Sequence, residues 1–212
     1  MGVGGQLTPD WLLDAYGHGI FPWPITGSVN LLAWWSLDPR AVILWDRFHV
    51  PRRLRRTCRS GRFTVTCDRD FPGVIHGCAT AAGREGQTWL TEEMIAAYMG
   101  LFDLGHAHSV EAWSDGALAG GVYGLSVGGL FSAESMFHRV TDASKVALVH
   151  LVVHLQMRGY PWMDIQQLTP HTARFGAMEI PRSEYLRRLD EALALPVTFG
   201  AGLVCPTGHP TV

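Results

Sequence analysis

Apolar residues recur along this chain with two periods, and the switches between them mark its elements. Leu12, Leu13 and Tyr16 fall on one helical face between Thr8, a good N-cap, and Gly17, with Pro9 at the first helical position. The string FPWP then breaks the helix, and the stretch through Asp38 is rich in Trp, Pro and Gly. Strand texture starts with the alternation of Phe63, Val65 and Cys67. Thr91 to Leu104 reads as a helix, with Thr91 as cap, Glu92 and Glu93 in the first turn and Gly105 beyond the end. Ser109 to Trp113, Asp115-Gly116 and Ala117 to Val127 read as a hairpin. A further strand carries Leu130 to Ser135. Ala143 to Arg158 is a long helix stopped by Gly159, Trp162 to Ile165 a buried strand, and Ser183 to Leu193 a capped closing helix. Antiparallel strands leading into a strand, helix, strand crossover predict an α+β fold. The change of texture predicts a small N-terminal domain over 1–38 and a main domain over 39–212.

With 47% hydrophobic residues in 212, an ample core is expected. The longest apolar stretch, Val146 to Met157, is interrupted by His150 and His154 and is too short to span a bilayer. The first residues, MGVGG, lack a charged segment followed by an apolar run, so a cytoplasmic protein is expected. Cys58, Cys67, Cys78 and Cys205 form no CxxC pair, which favours buried reduced thiols over a disulfide framework or a zinc site.

A net charge of −2 argues against indiscriminate nucleic-acid coating, but the cations are unevenly placed. Arg52, Arg53, Arg55, Arg56, Arg59 and Arg62 are six of the 17 Lys and Arg residues, and no acidic residue interrupts them. Such a run is either a solvated helix face or a phosphate-attracting patch whose affinity falls with salt. Lys145, the only lysine, suits a structural ion pair as well as a substrate contact. Glu134, Asp164, Gln166, Gln167 and His171 stand in an apolar frame between Phe131 and Arg182. Carboxylates in such surroundings must be paired or used.

The strings GHGIFPW (17–23), WWSLDPRAV (34–42), TWL (88–90), GHAHSVEAW (105–113), GGVYGLSVGGLFSAESMF (120–137), DASKVAL (142–148), DIQ (164–166) and HTARFGAMEIPR (171–182) follow in one order. Together they resemble the bacterial leucyl/phenylalanyl-tRNA-protein transferases, from about Thr8 to Leu189. Leu37 stands where that pattern has a proline, Ala133 a glycine and Ile165 a cysteine, and the N-terminus is shorter than in longer relatives. The resemblance implies an acetyltransferase-like (GNAT-like) mixed sheet with flanking helices behind the small N-terminal unit. It also implies transfer of Leu or Phe from aminoacyl-tRNA to proteins beginning with Arg or Lys, which marks them for degradation. An aminoacyl-tRNA-dependent ligase with a different small peptide or amine acceptor is the alternative, and a tRNA 3′-end binder with a dead cleft a third. No metal or nucleotide cofactor is indicated, and a monomer is expected.

By the same resemblance, catalysis rests on Asp164 and Gln166, which a two-residue strand period can point into one cleft. Asp164 would orient Gln166 and stabilise positive charge, Gln166 would position the attacking amine, and Glu134 would hold the cationic acceptor. Its competing role is an internal ion pair with an arginine. Trp23 and Trp89 match positions that approach the terminal adenosine, whereas Trp34 and Trp35 suit packing. Arg52, Arg53, Arg55 and Arg56 lie where a basic segment meets the acceptor stem. Leu148, Leu151 and Leu155 share a helix face, and Val122, Met136 and Met163 fall at pocket positions for the donor side chain. The methyl of Ala133 predicts a stronger preference for leucine over phenylalanine.

Other patterns carry less. Gly124-Leu125-Ser126-Val127-Gly128 matches G-x-S-x-G, but a strand rather than a helix follows it, so no nucleophile elbow is expected. The glycines from 120 to 129 precede no helix that could cradle a phosphate, which weakens an acyl-CoA-dependent acetyltransferase. His150 and His154 suit a polar helix edge better than a zinc pair, and His106 and His108 suit structural roles.

Overall fold

The computed structural model describes residues 1–25, 31–81 and 88–204. The chain opens with β1 (Gly2–Val3), α1 (Pro9–Gly17), β2 (Phe21–Pro22) and β3 (Ala33–Trp35), whose strands form a three-stranded sheet in the order β1-β3-β2. Then follow β4 (Arg40–Leu44), α2 (Arg52–Arg59), β5 (Thr64–Cys67), α3 (Phe71–Ala79) and α4 (Glu92–Asp103). The chain continues through β6 (Ala107–Ser114), β7 (Ala117–Val127), β8 (Leu130–His138), α5 (Ala143–Arg158) and β9 (Trp162–Gln166). It closes with α6 (Pro170–Ala173), β10 (Met178–Ile180) and α7 (Arg182–Leu193). The expected α+β architecture is present as a seven-stranded mixed sheet, β10-β4-β9-β8-β7-β6-β5, flanked by helices.

Thr8 and Thr91 cap α1 and α4, their hydroxyls accepting from Trp11 and Met94 N–H. Asp115 and Gly116 both take positive φ, as the tight β6–β7 hairpin requires. Gly159 ends α5 at φ 89. The closing helix differs from expectation. It begins at Arg182, one residue before Ser183, and no side chain of its own caps it. Asp38, from the far end of the chain, accepts the Arg182 N–H instead.

Two apolar clusters line the sheet. Leu12, Tyr16, Phe71, Val74, Tyr98, Tyr123 and Leu189, from α1, α3, α4, β7 and α7, form one. Ile43, Leu54, Phe131, Val146, Leu148, Leu151, Leu155 and Met163, built around α5, form the other. Each such side chain contributes roughly 1.5–3 kcal/mol of burial. α5 is buried nearly all round, so His154 sits at no polar edge: it is fully buried. Its Nδ1 accepts from Val204 N–H and its Nε2 donates to Phe199 O, which holds the C-terminal segment in the neutral ring. Burial pushes both His150 and His154 down to about 4.

Three further patterns resolve as structure. Ser126 lies within β7 and bonds the Tyr160 hydroxyl, so G-x-S-x-G is strand and turn. His106 and His108 bond Ser126 O and Asp68, respectively. Cys58, Cys67 and Cys78 form no disulfide among the described residues; Cys78 is buried and the other two only partly so, and Cys205 lies outside the described residues.

Candidate active site

β8 and β9 run parallel but pair at one position, Ser132 with Asp164. Beyond it lies a cavity of about 560 Å³ lined by Ala133, Glu134, Ser135 and Met136 of β8 and by Ile165, Gln166 and Gln167. Trp23, Trp89, Val122, Leu148 and His171 complete much of its wall. The cleft therefore exists because two parallel neighbours stop pairing and leave their side chains without a partner strand.

At that fork Gln166 adopts φ 56, a left-handed conformation uncommon for a residue with a side chain. Gln167 N–H donates to Ile165 O across it at 2.6 Å, and opposite it the β4–β9 register shifts between Ala41 and Val42. Such backbone strain costs about 1–3 kcal/mol and persists only where surrounding contacts fix it. Here they do. The Gln166 N–H donates to Asp164 Oδ1 (3.0 Å), and its side-chain Nε2 donates to Ser132 Oγ (2.8 Å) and Glu134 Oε1 (3.0 Å).

Asp164 is fully buried and does not line the cavity. Arg40, 1% exposed, grips it with Nε to Oδ1 at 2.9 Å and Nη2 to Oδ2 at 2.6 Å. The Tyr185 hydroxyl adds a third bond at 3.0 Å, and the guanidinium lies over the Phe21 and Tyr185 rings. Burial opposes the charge on Arg40, but the Asp164 carboxylate outweighs it and makes the guanidinium more basic. Asp164 thus reaches Gln166 through the backbone and Ser132, from behind the cavity wall, rather than as its neighbour in the cleft.

Glu134 has no cationic partner among the described residues; its bonds run to hydroxyls and to the Gln166 amide. Its Oε2 accepts from the Tyr98 hydroxyl (3.1 Å), itself 2.6 Å from the Tyr16 hydroxyl, and Ser132 Oγ donates to Oε1 at 3.1 Å. Burial pushes its carboxyl up to about 7, with the Asp164 charge adding to the rise against the pull of the Tyr16, Tyr98 and Ser132 hydroxyls.

Trp23 and Trp89 meet at the rim, stacked at 5.1 Å between centroids and 17° between planes, and Trp23 is 40% exposed. Trp34 and Trp35 act as anchors, donating their indole N–H to Gly4 O and Trp23 O. Of the apolar candidates, Val122, Met136 and Leu148 line the cavity; Leu151, Leu155 and Met163 do not. They sit in the core around α5, because the cavity reaches only the first turns of that helix while the face they share runs on beneath the sheet. Arg52, Arg55 and Arg56 are exposed on α2, and Arg53 lines a second cavity described below. Lys145 bonds Asp142 at 2.7 Å.

Sequence reasoning missed Arg40, Ser132, Tyr98 and Tyr16. Arg40 carried a signal, a lone cation heading the apolar run RAVIL; the three hydroxyl residues carried none that spacing could find.

A family model described as leucyl/phenylalanyl-tRNA protein transferase matches residues 42–190, and one for the N-terminal domain of the same proteins matches 5–38. A leucyl/phenylalanyl-tRNA–protein transferase of Oleidesulfovibrio alaskensis is 51% identical over 207 residues, covering 94% of this chain and 82% of the relative. One from Chromohalobacter salexigens is 50% identical over 207 residues, covering 98% and 80%. Among solved structures, a GCN5-related N-acetyltransferase-like protein of Streptococcus suis aligns with TM-score 0.39 at 14% identity, over 81% of this chain and 63% of that one. The C-terminal domain of a putative lysylphosphatidylglycerol synthetase from Agrobacterium fabrum aligns with TM-score 0.43 at 13% identity, over 89% and 60%.

Proposed function

The chain belongs to the leucyl/phenylalanyl-tRNA protein transferase family, and on that premise we propose how its cavity moves an aminoacyl group from tRNA to the α-amine of a protein that begins with Arg or Lys. The observation that carries the reading is the arrangement of Glu134 and Gln166. Both amide hydrogens of Gln166 are committed to Ser132 and Glu134, which leaves its carbonyl oxygen to accept an N–H from the incoming amine. Glu134 lies beside it, poised near 7 by burial.

The ester is already activated, and an α-amine with a pKa of about 7.7–8.0 is partly neutral near pH 7. Held by Gln166, the nitrogen attacks the ester carbonyl carbon and the N–C bond forms. The surplus proton passes from that nitrogen to Glu134 and on to the ribose oxygen as the C–O bond breaks. Glu134 is thereby both the anchor for positive charge and the proton carrier. Asp164 and Arg40 are positioning residues, holding the Gln166 turn from behind. No metal or cofactor takes part in this scheme.

The terminal adenosine stacks on the exposed face of Trp23, which Trp89 backs, a contact worth about 1–3 kcal/mol. Residues 1–38 form a small domain that brings Trp23 to the rim of a catalytic domain over 39–212. The exposed arginines of α2 attract the acceptor stem. We take the enzyme to work as a monomer in the cytoplasm, where aminoacyl-tRNA is made and used. Among the described residues no helix is long and apolar enough to cross a membrane.

Transfer of labelled leucine from Leu-tRNA to peptides differing only in an N-terminal Arg, Lys, Asp or Ala tests the reaction and the acceptor class together. Transfer to Arg and Lys alone is expected; equal transfer to all four, or to none, would point to a ligase with another acceptor. The donor slot gives a second expectation. Ala133 lines the cavity, so its methyl should make leucine preferred to phenylalanine, and Ala133→Gly should move the ratio of the two rates toward phenylalanine by about tenfold, as a single methyl in an apolar pocket can. A ratio left unmoved in competition between Leu-tRNA and Phe-tRNA would remove the methyl as its cause.

A further inference from the structure

A second cavity, about 360 Å³, adjoins the first, and His171 lines both. Arg53 of α2, Lys145 of α5 and Arg174 at the end of α6 face it, with Asp142 the one carboxylate and Phe175 among the apolar lining. Asp142 is already bound to Lys145 at 2.7 Å, so the cations outnumber it. His171 Nε2 is buried at this boundary and finds no hydrogen-bond partner among the described residues. Burial holds the imidazole below its usual range, and the charges of Lys145 and Arg174 add to the effect.

Guanidinium forks, an ammonium and an orphaned imidazole nitrogen converging on one void match the tetrahedral oxygens of a phosphate. The position narrows the source. One wall is the site cavity, where the terminal adenosine is placed, and another is α2, whose remaining arginines continue outward. The second cavity lies between the two, sharing His171 with the first and lined by Arg53 and Leu54 of α2, so a polynucleotide running from the adenosine to α2 can pass here. We infer that this second cavity is a phosphate subsite that seats the phosphodiester on the 5′ side of the donor's terminal adenosine, bound by Arg174, Lys145, Arg53 and His171. The inference rests on the proposed function, because it takes the adenosine to occupy the adjoining cavity.

Binding of adenosine, adenosine 5′-monophosphate and inorganic phosphate, followed by the His171 ring resonances and by calorimetry, tests it. The monophosphate should bind roughly ten- to a hundredfold more tightly than adenosine, the worth of charge-assisted hydrogen bonds. It should shift the His171 signals as adenosine does not. Arg174→Gln, on an exposed side chain, and Arg53→Gln should each reduce the advantage of the monophosphate over adenosine. Equal affinity for the two, or variants that weaken both alike, would overturn the subsite. Inorganic phosphate binding as tightly as the monophosphate would make it a free-anion site and overturn the assignment to the donor. Leucine transfer from Leu-tRNA judges the underlying function separately. Transfer that persists without any preference for the monophosphate rejects the subsite alone.

Discussion

Arg40→Met should destabilise the protein by about 3–5 kcal/mol, the usual cost of leaving one partner of a buried ion pair uncompensated. Asp164 is sealed from solvent and receives two of its hydrogen bonds from that guanidinium. Without them, Tyr185, Ser132 and the Gln166 N–H must hold the carboxylate alone. Urea unfolding measures the loss. The double change Arg40→Met with Asp164→Leu should recover most of the stability, since exchanging a buried pair for apolar groups of similar volume is often neutral. Transfer activity should not return with it, because the backbone at Gln166 then lacks the acceptor that fixes its positive φ. A single variant within about 1 kcal/mol of wild type would mean that the pair behaves like an exposed one. A fully active double variant would remove Asp164 from the machinery.

Glu134→Gln should lower the turnover of leucine transfer by about 10²–10⁴-fold, the range for a lost general acid or base. It should also change the shape of the pH profile. A carboxyl near 7 is protonated below that pH and cannot take a proton, so the wild-type rate should rise with pH through about 7. The acceptor amine adds its own rise at about 7.7–8.0. In Glu134→Gln the lower inflection should vanish and the upper one stay. Loss of acceptor affinity alone, with turnover kept, would leave Glu134 as a charge anchor and no more.

Much of the frame was legible because its signals are local. α5 carries its stop in Gly159, the β6–β7 hairpin its turn in Asp115-Gly116, and α1 and α4 their caps in Thr8 and Thr91. α3 was hidden: Pro72, Gly73 and Gly77 argue against a helix. Asp70 nevertheless caps it, and Gly77 lies so close to the Phe137 ring that a Cβ there would fall within 2.4 Å of it. Packing overrode propensity. The Arg40 to Asp164 pair spans 124 positions of sequence and the Tyr98 to Glu134 bond 36, and no periodicity encodes such meetings. The resemblance supplied Glu134, Asp164 and Gln166, but only the fork between β8 and β9 separates two groups at the cavity from one behind it. The common face of Leu148, Leu151 and Leu155 was read correctly as a helix stripe. How far the cavity runs along that stripe is set by the sheet, not by the helix.

The Ser132 hydroxyl has one hydrogen and two carboxylates within reach, Glu134 at 3.1 Å and Asp164 at 3.3 Å, while it accepts from Gln166. It can serve only one of them at a time. When Glu134 gains a proton it needs that hydrogen less, and the hydroxyl is free to rotate toward Asp164. Ser132 is in that sense a toggle, reporting the protonation of the carboxylate at the cavity to the sealed one behind it. Each turnover would then flip it twice, so the rigid rear of the site is told of every proton that arrives at its front.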